Sequence, residues 1–206
     1  MYKALFKAFG PQRWWPAESA FEVAVGAILT QNTNWSNVSR AIANLKEARV
    51  LTPTRLFALG ETATSRLIRP SGYYRLKTKR LRNFLAVVSG RYGNSLCRMK
   101  RVPLERLRQE LLAITGIGPE TADSILLYAF GKPVFVIDAY TKRIFSRHHL
   151  FPADVSYDDA QSYFMDRLPR DAGLFNEYHA LIVRLGKEYC RKNGPRCKTC
   201  PLKNER

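Results

Sequence analysis

Apolar residues recur at three- and four-residue intervals along almost the whole chain, the period of helices with one buried face. Phe21 to Leu29 is apolar on most sides and predicts a buried helix, led in by Glu18-Ser19-Ala20. Asn37 to Leu45 carries Val38, Ala41, Ile42 and Leu45 on one face. Lys77 to Val88 predicts a helix with Leu81, Phe84, Leu85 and Val88 inward and Lys77, Lys79, Arg80 and Arg82 outward. Thr52-Pro53 and Pro70-Ser71-Gly72 punctuate the segments between. Pro103 to Leu112 is a further helix that breaks at Thr115-Gly116-Ile117-Gly118-Pro119. A helix resumes at Thr121-Ala122-Asp123, with Ala122, Ile125 and Leu126 inward. Tyr157 to Leu168 and Phe175 to Lys187 complete the set. No segment alternates with the two-residue period of a strand, and no repeat or low-complexity tract interrupts the pattern. The pattern predicts an all-α fold with no long linker.

Two helices joined by Gly116-Ile117-Gly118 form a tight hairpin in which glycine lets the backbone approach a neighbour. The backbone N–H groups that open the second helix then suit a phosphate. Twenty residues after Gly118, Asp138 follows the apolar run Val134-Phe135-Val136-Ile137. A carboxylate there is either a helix N-cap or a functional group, and spacing alone does not choose.

Charge changes the picture. The chain has 34 Lys plus Arg against 17 Asp plus Glu, a formal net charge of +17 and a pI near 10.1. Basicity on this scale suits a protein that neutralises nucleic-acid phosphates, although an anionic membrane or a ribosome would also accept it. No apolar run approaches the roughly 20 residues of a membrane span. No helix combines a broad apolar face with a basic one, so a membrane-surface role is the weakest reading. A soluble intracellular protein is expected.

The tail adds chemistry. Cys190, Cys197 and Cys200 are spaced Cys-x6-Cys-x2-Cys, which reads as a metal or iron–sulfur loop rather than as disulfides. Zinc is the competitor and needs a fourth ligand such as a histidine, and His148, His149 and His179 all lie outside the loop. Cys97 reads as a small core residue. Lys187, Arg191, Lys192, Arg196, Lys198 and Lys203 make the same stretch a candidate phosphate-binding surface. Lys142, Arg143 and Arg147, beyond Asp138, read as a solvated helix face.

Hairpin, aspartate and cysteine tail together resemble the endonuclease III branch of the helix-hairpin-helix (HhH-GPD) DNA glycosylases, over nearly the whole chain. The resemblance implies a six-helix barrel lobe over residues 19–133 and a second lobe from residues 1–18 and 134–206. It implies a cytoplasmic or nucleoid-associated monomer acting on double-stranded DNA with a damaged base. The DNA would lie across a cleft between the lobes, Gly116 and Gly118 would approach its backbone, and one nucleotide would be flipped out. The family's cysteine pattern, Cys-x6-Cys-x2-Cys-x5-Cys, implies a 4Fe-4S cluster on Cys190, Cys197 and Cys200. Its fourth ligand would fall at position 206, where this chain has Arg206.

A second departure bears on the reaction. Bifunctional members of the branch carry a lysine two residues after the hairpin's second glycine, and its amine forms a Schiff base with the sugar. Here that residue is Glu120, and a carboxylate forms no imine. The resemblance therefore implies a monofunctional glycosylase that hydrolyses the N-glycosidic bond without cutting the strand. Asp138 would stabilise positive charge on the deoxyribose and align the attacking water. Glu120 is a second acid/base group, a contact to a base edge, or simply a first-turn acid favoured by the helix dipole.

All three tryptophans lie between positions 14 and 35: Trp14-Trp15-Pro16 and Trp35. Three core tryptophans are one reading, with at least one of the adjacent pair expected in the core; the functional reading is an aromatic base pocket lined by Trp14, Trp15, Pro16 and Trp35. Electron-rich rings favour a cationic base such as N3-methyladenine by about 0.5–2 kcal/mol per contact. Trp-Trp-Pro, Leu29-Thr30-Gln31-Asn32-Thr33-Asn34-Trp35 and the missing lysine most resemble the branch's bacterial 3-methyladenine glycosylases, some of which lack the cluster. Gln31 matches the family's polar plug for the vacated space, and Tyr73 stands where the family has a wedge against the opposite strand. The alternatives are an enzyme of the same fold for oxidised pyrimidines or mismatched bases, and a non-catalytic protein that binds damaged DNA.

Overall fold

The computed structural model describes residues 1–205, so position 206, expected to hold the family's last cysteine, lies outside the described residues. The described residues form twelve α-helices and no strand. In chain order these are α1 (Tyr2–Phe9), α2 (Ala20–Thr30), α3 (Trp35–Glu47), α4 (Pro53–Ala58), α5 (Glu61–Leu67) and α6 (Tyr74–Tyr92). They continue as α7 (Leu96–Lys100), α8 (Leu104–Leu112), α9 (Pro119–Ser124), α10 (Ala139–Arg147), α11 (Tyr157–Met165) and α12 (Ala172–Glu188). Two compact units result: Ala17–Phe130, and Met1–Pro16 together with the chain from Gly131 on. Among the described residues, no helix is long and apolar enough to cross a membrane.

The Ala17–Phe130 unit is centred on α2, where every residue from Phe21 to Leu29 is buried. Ser19 starts the helix by accepting from the Glu22 N–H at 3.1 Å, which satisfies one of its unbonded first-turn donors. Glu22 is itself buried, with Lys46 of α3 at 2.9 Å. In α3 the buried residues are Val38, Ala41, Ile42 and Leu45, as the periodicity predicts. In α6 they include Leu81, Phe84, Leu85 and Val88, and the helix ends at Gly93, whose left-handed φ of 57° reverses the chain. Beyond the hairpin, α9 runs into a buried π-helical turn, Ile125–Ala129.

Two polar contacts inside this unit are not read from periodicity. Arg108 of α8 grips Asp123 of α9 with Nε on Oδ1 at 2.8 Å and Nη2 on Oδ2 at 3.2 Å, a two-pronged pair around a fully buried carboxylate. Lys77, predicted to face solvent, is only 1% exposed. Its ammonium donates to the Leu29 carbonyl at 2.8 Å and the Ser71 carbonyl at 2.7 Å. Burial, and then the charge of Arg80, pull it down to about 8, so it stays mostly protonated at neutral pH. Its position explains the correction, because Lys77 precedes Leu81 and Phe84 by four and seven residues and shares their face.

The second unit packs around aromatic rings. Phe135 stacks on Phe164 with centroids 4.0 Å apart and meets Phe175 and Tyr178 edge-on. Helix α1 joins α12 through Tyr2 against Tyr178, at 5.2 Å, and through buried Leu5. Helices α10 and α12 pack at Gly186, where a Cβ would come within 2.3 Å of the Tyr140 ring. Val134 to Ile137 are buried in a segment that belongs to no helix or strand.

Three further corrections concern six side chains. Cys97 is exposed, because α7 is one short turn whose inward position is taken by Met99. Trp14 and Trp15 are both half-buried, so neither is a core residue of the kind expected. Lys142 and Arg143 are half-buried rather than solvated, and Arg147, although exposed as expected, is also engaged: Lys142 donates to the Val155 carbonyl at 2.6 Å, and the two arginines hold the cysteine loop.

Candidate functional site

The hairpin owes its shape to Gly116. Its φ of 96° is forbidding for a side chain, and a Cβ there would lie 2.4 Å from Arg80 Cγ, so glycine is required for conformation and for space. Gln31, at the end of α2, is drawn into the same place. Its Nε2 donates to the Gly116 carbonyl at 3.1 Å and to Thr121 Oγ1 at 2.9 Å, and its Oε1 accepts from Arg80 Nη1. The side chain expected as a plug thus binds the hairpin to α2 and α6. Gly118 differs: its backbone is extended, it is exposed, and nothing lies within 4 Å of where a Cβ would be. Glu120 is exposed in the first turn of α9, and its carbonyl accepts from Ser124 Oγ at 2.7 Å.

Tyr73 sits at the start of α6 with φ 45° and ψ 31°, a left-handed conformation that costs a non-glycine residue about 1–2 kcal/mol. It is 71% exposed, and Leu76, one turn on, is 46% exposed. A large ring held in solvent on strained backbone has no packing reason to be there.

Asp138 is the N-cap of α10. Oδ1 accepts from the Thr141 N–H at 2.7 Å and from Thr141 Oγ1 at 2.9 Å. The capping alternative is therefore realised, and it uses only one oxygen. Oδ2 lies 3.6 Å from His179 Nε2, and the carboxylate is 12% exposed. Burial drives the His179 imidazole below its ordinary value, with Asp138 pulling the other way, so a neutral ring faces Oδ2 and the contact is polar rather than ionic. Sequence reasoning missed His179. The available signal was a lone imidazole on the apolar face of Phe175 to Lys187.

Trp14 and Trp15 meet edge-on with centroids 5.5 Å apart, and Lys187 Nζ stands 5.7 Å from the Trp14 ring centre. Pro16 is exposed. Trp35 is half-buried at the start of α3, in the Ala17–Phe130 unit.

Cys190 and Cys200 are buried and Cys197 is exposed. Arg143 Nε donates to the Cys190 carbonyl at 2.8 Å, and Arg147 reaches Cys190 Sγ at 3.4 Å and the Arg191 carbonyl at 2.7 Å. The Leu202 N–H donates to Cys200 Sγ at 3.4 Å. Burial first pushes the Cys200 thiol up, with the Leu202 N–H pulling the other way and the neighbouring Cys190 and Cys197 adding to the rise. That donor set suits a thiolate-bound cluster in kind. In number and convergence it falls short, since among the described residues no three His, Cys, Asp or Glu side chains gather closely enough to hold a metal ion.

The family model for the HhH-GPD superfamily base excision DNA repair protein matches residues 25–170. A Methanocaldococcus jannaschii protein provisionally named a DNA repair glycosylase is 48% identical over 205 residues, covering 98% of this chain and 92% of that one. Among solved structures, Helicobacter pylori 3-methyladenine DNA glycosylase bound to 1,N6-ethenoadenine superposes with a TM-score of 0.80 at 28% identity, over 91% of this chain and 95% of that one. A non-covalent endonuclease III–DNA complex shares the fold at a TM-score of 0.84 and 23% identity, over 98% and 90%. The chain belongs to the HhH-GPD superfamily of base excision DNA repair proteins, and its activity is that of a DNA glycosylase.

Proposed function

We propose that this protein is a monofunctional glycosylase that releases alkylated purines such as 3-methyladenine from double-stranded DNA. The observation that carries the reading is the pairing of Glu120, a carboxylate where strand-cleaving members have an amine, with Asp138, whose Oδ2 is left over from its cap. As the glycosidic bond lengthens, positive charge grows on the deoxyribose and Asp138 Oδ2 stabilises it. Water adds at C1′ and gives up its proton, the base departs with the bonding electrons, and an abasic site remains. A base already carrying positive charge leaves as a neutral molecule, so no strong general acid is needed. The similarity to the Helicobacter pylori enzyme supports the alkylpurine assignment.

The other residues take roles in the same reading. The N–H groups around Gly116 and Gly118 hold a backbone phosphate, Tyr73 wedges into the duplex, and Gln31 stands beside the vacated space. Trp14, which has Lys187 beside its ring, Trp15, Pro16 and Trp35 are each candidates to contact the flipped base. Cys190, Cys197 and Cys200 match three of the family's cluster positions but do not converge as a ligand set, so no step of the reaction is assigned to a cluster; iron and labile sulfide measured on the purified protein decide whether one is bound.

The test incubates the protein with duplex DNA containing 3-methyladenine and assays free base, then strand breaks before and after alkali. Free base with breaks only after alkali is expected. Breaks without alkali overturn the argument from Glu120, and no release overturns the lesion assignment in favour of oxidised or mismatched bases. Asp138→Asn should slow release at least about a hundredfold while leaving DNA affinity within a few-fold; equal loss of both would make the residue structural.

A further inference from the structure

Lys77 is a fully buried cation whose ammonium, among the described residues, meets two main-chain carbonyls and no carboxylate. Taking an ammonium out of water costs several kcal/mol, and a methionine would fill the same volume without that cost. The choice of carbonyls explains why a cation is kept. Leu29 lies in the last turn of α2, where unbonded carbonyls and the negative end of the helix dipole attract positive charge. Ser71 lies in the short 3₁₀ turn Arg69–Ser71 that enters Gly72 and Tyr73. One nitrogen therefore holds the peptide two residues before Gln31 and the peptide two residues before Tyr73. The Lys77 backbone N–H adds a third tie, to the Tyr73 carbonyl at 3.0 Å.

We propose that Lys77 is a positioning residue for nucleotide flipping, joining the stem of the Gln31 loop to the stem of the Tyr73 turn so that both meet the duplex as one rigid body. The inference rests on the reading of Tyr73 and Gln31 given above. Unstacking a base costs a few kcal/mol, and a ring on compliant backbone would bend aside rather than deliver that work. With the stems tied, binding energy collected elsewhere on the DNA reaches the stack through Tyr73. Lys77 would then govern how often a lesion is extruded, and the chemistry at C1′ would be indifferent to it.

The test compares single-turnover release of 3-methyladenine from a fully paired duplex and from the same strand with three mismatched bases around the lesion, where little unstacking remains. Lys77→Met should lower the rate on the paired duplex about tenfold or more and on the mismatched duplex by less than about threefold. Tyr73→Ala should show the same split, and adding Lys77→Met to it should cost little more. Equal loss on both duplexes overturns the proposal, because general damage to the fold does not distinguish them. A split with Tyr73→Ala but none with Lys77→Met overturns the role of Lys77 alone. No split with Tyr73→Ala overturns the wedge reading beneath it. Should Lys77→Met fail to fold, hydrogen exchange on the unmodified protein decides: the amides of Gln31 and Tyr73 are expected to open together, and independent opening overturns the proposal.

Discussion

Gly116 and Gly118, two residues apart, answer to different demands. Gly116 is held at positive φ under the Arg80 side chain, so Gly116→Ala meets strain and a clash together. It should destabilise the protein by about 2–4 kcal/mol in denaturant melts and lower activity as a consequence. Gly118 is in extended backbone with open space beside it, so Gly118→Ala should leave stability within about 0.5 kcal/mol. The same methyl occupies the space a phosphate would use, and DNA binding is expected to weaken about tenfold by titration. Unchanged affinity would remove the hairpin from the DNA interface. The sequence marks both as turn glycines and cannot separate them, because the difference lies in Arg80, which is 36 residues away. Lys77 teaches the converse: its periodicity was inward and its charge argued outward, and two carbonyls settled the matter.

At the scale of helices, the periodic pattern was legible wherever an apolar stripe meets a neighbour, as in α2, α3 and α6. What it does not disclose is how elements are spaced. Helix α10 carries Asp138 at its start, and its distance from α12 is set where the Tyr140 ring covers Gly186. Both Arg143 and Arg147 cross from α10 to the cysteine loop, bonds spanning more than 40 residues of sequence that no local motif announces. His179 belongs here too, since only the approach of α12 brings it to Asp138. Gly186→Ala should push α10 from α12, with a cost of about 1–3 kcal/mol for overpacking. Base release should fall further than stability alone accounts for, with kcat reduced and KM for DNA little changed, because the contact fixes α10, which carries Asp138 at its start. A variant that loses stability and keeps kcat would show that α10 is not held in place by this contact.

For the molecule as a whole, the excess of 34 basic over 17 acidic residues is sharpened by where the acids go. Glu22 and Asp123 are buried against Lys46 and Arg108, and Asp138 spends an oxygen on its helix. The division of the chain has a different consequence, one concerning the order of events during synthesis. Helix α1 leaves the ribosome before residues 17–130, yet its partner α12 is made after them. The continuous Ala17–Phe130 stretch can close its own core while the chain is still growing, and the apolar residues of α1, Leu5 and Phe9 among them, must wait. Nascent chains arrested at increasing lengths should therefore become protease-resistant over 17–130 first, with α1 cut freely until α12 has emerged. Resistance of α1 at shorter lengths would mean that it finds a temporary partner. If it does wait, the interval before α12 arrives is when this enzyme is most exposed to chaperones and proteases.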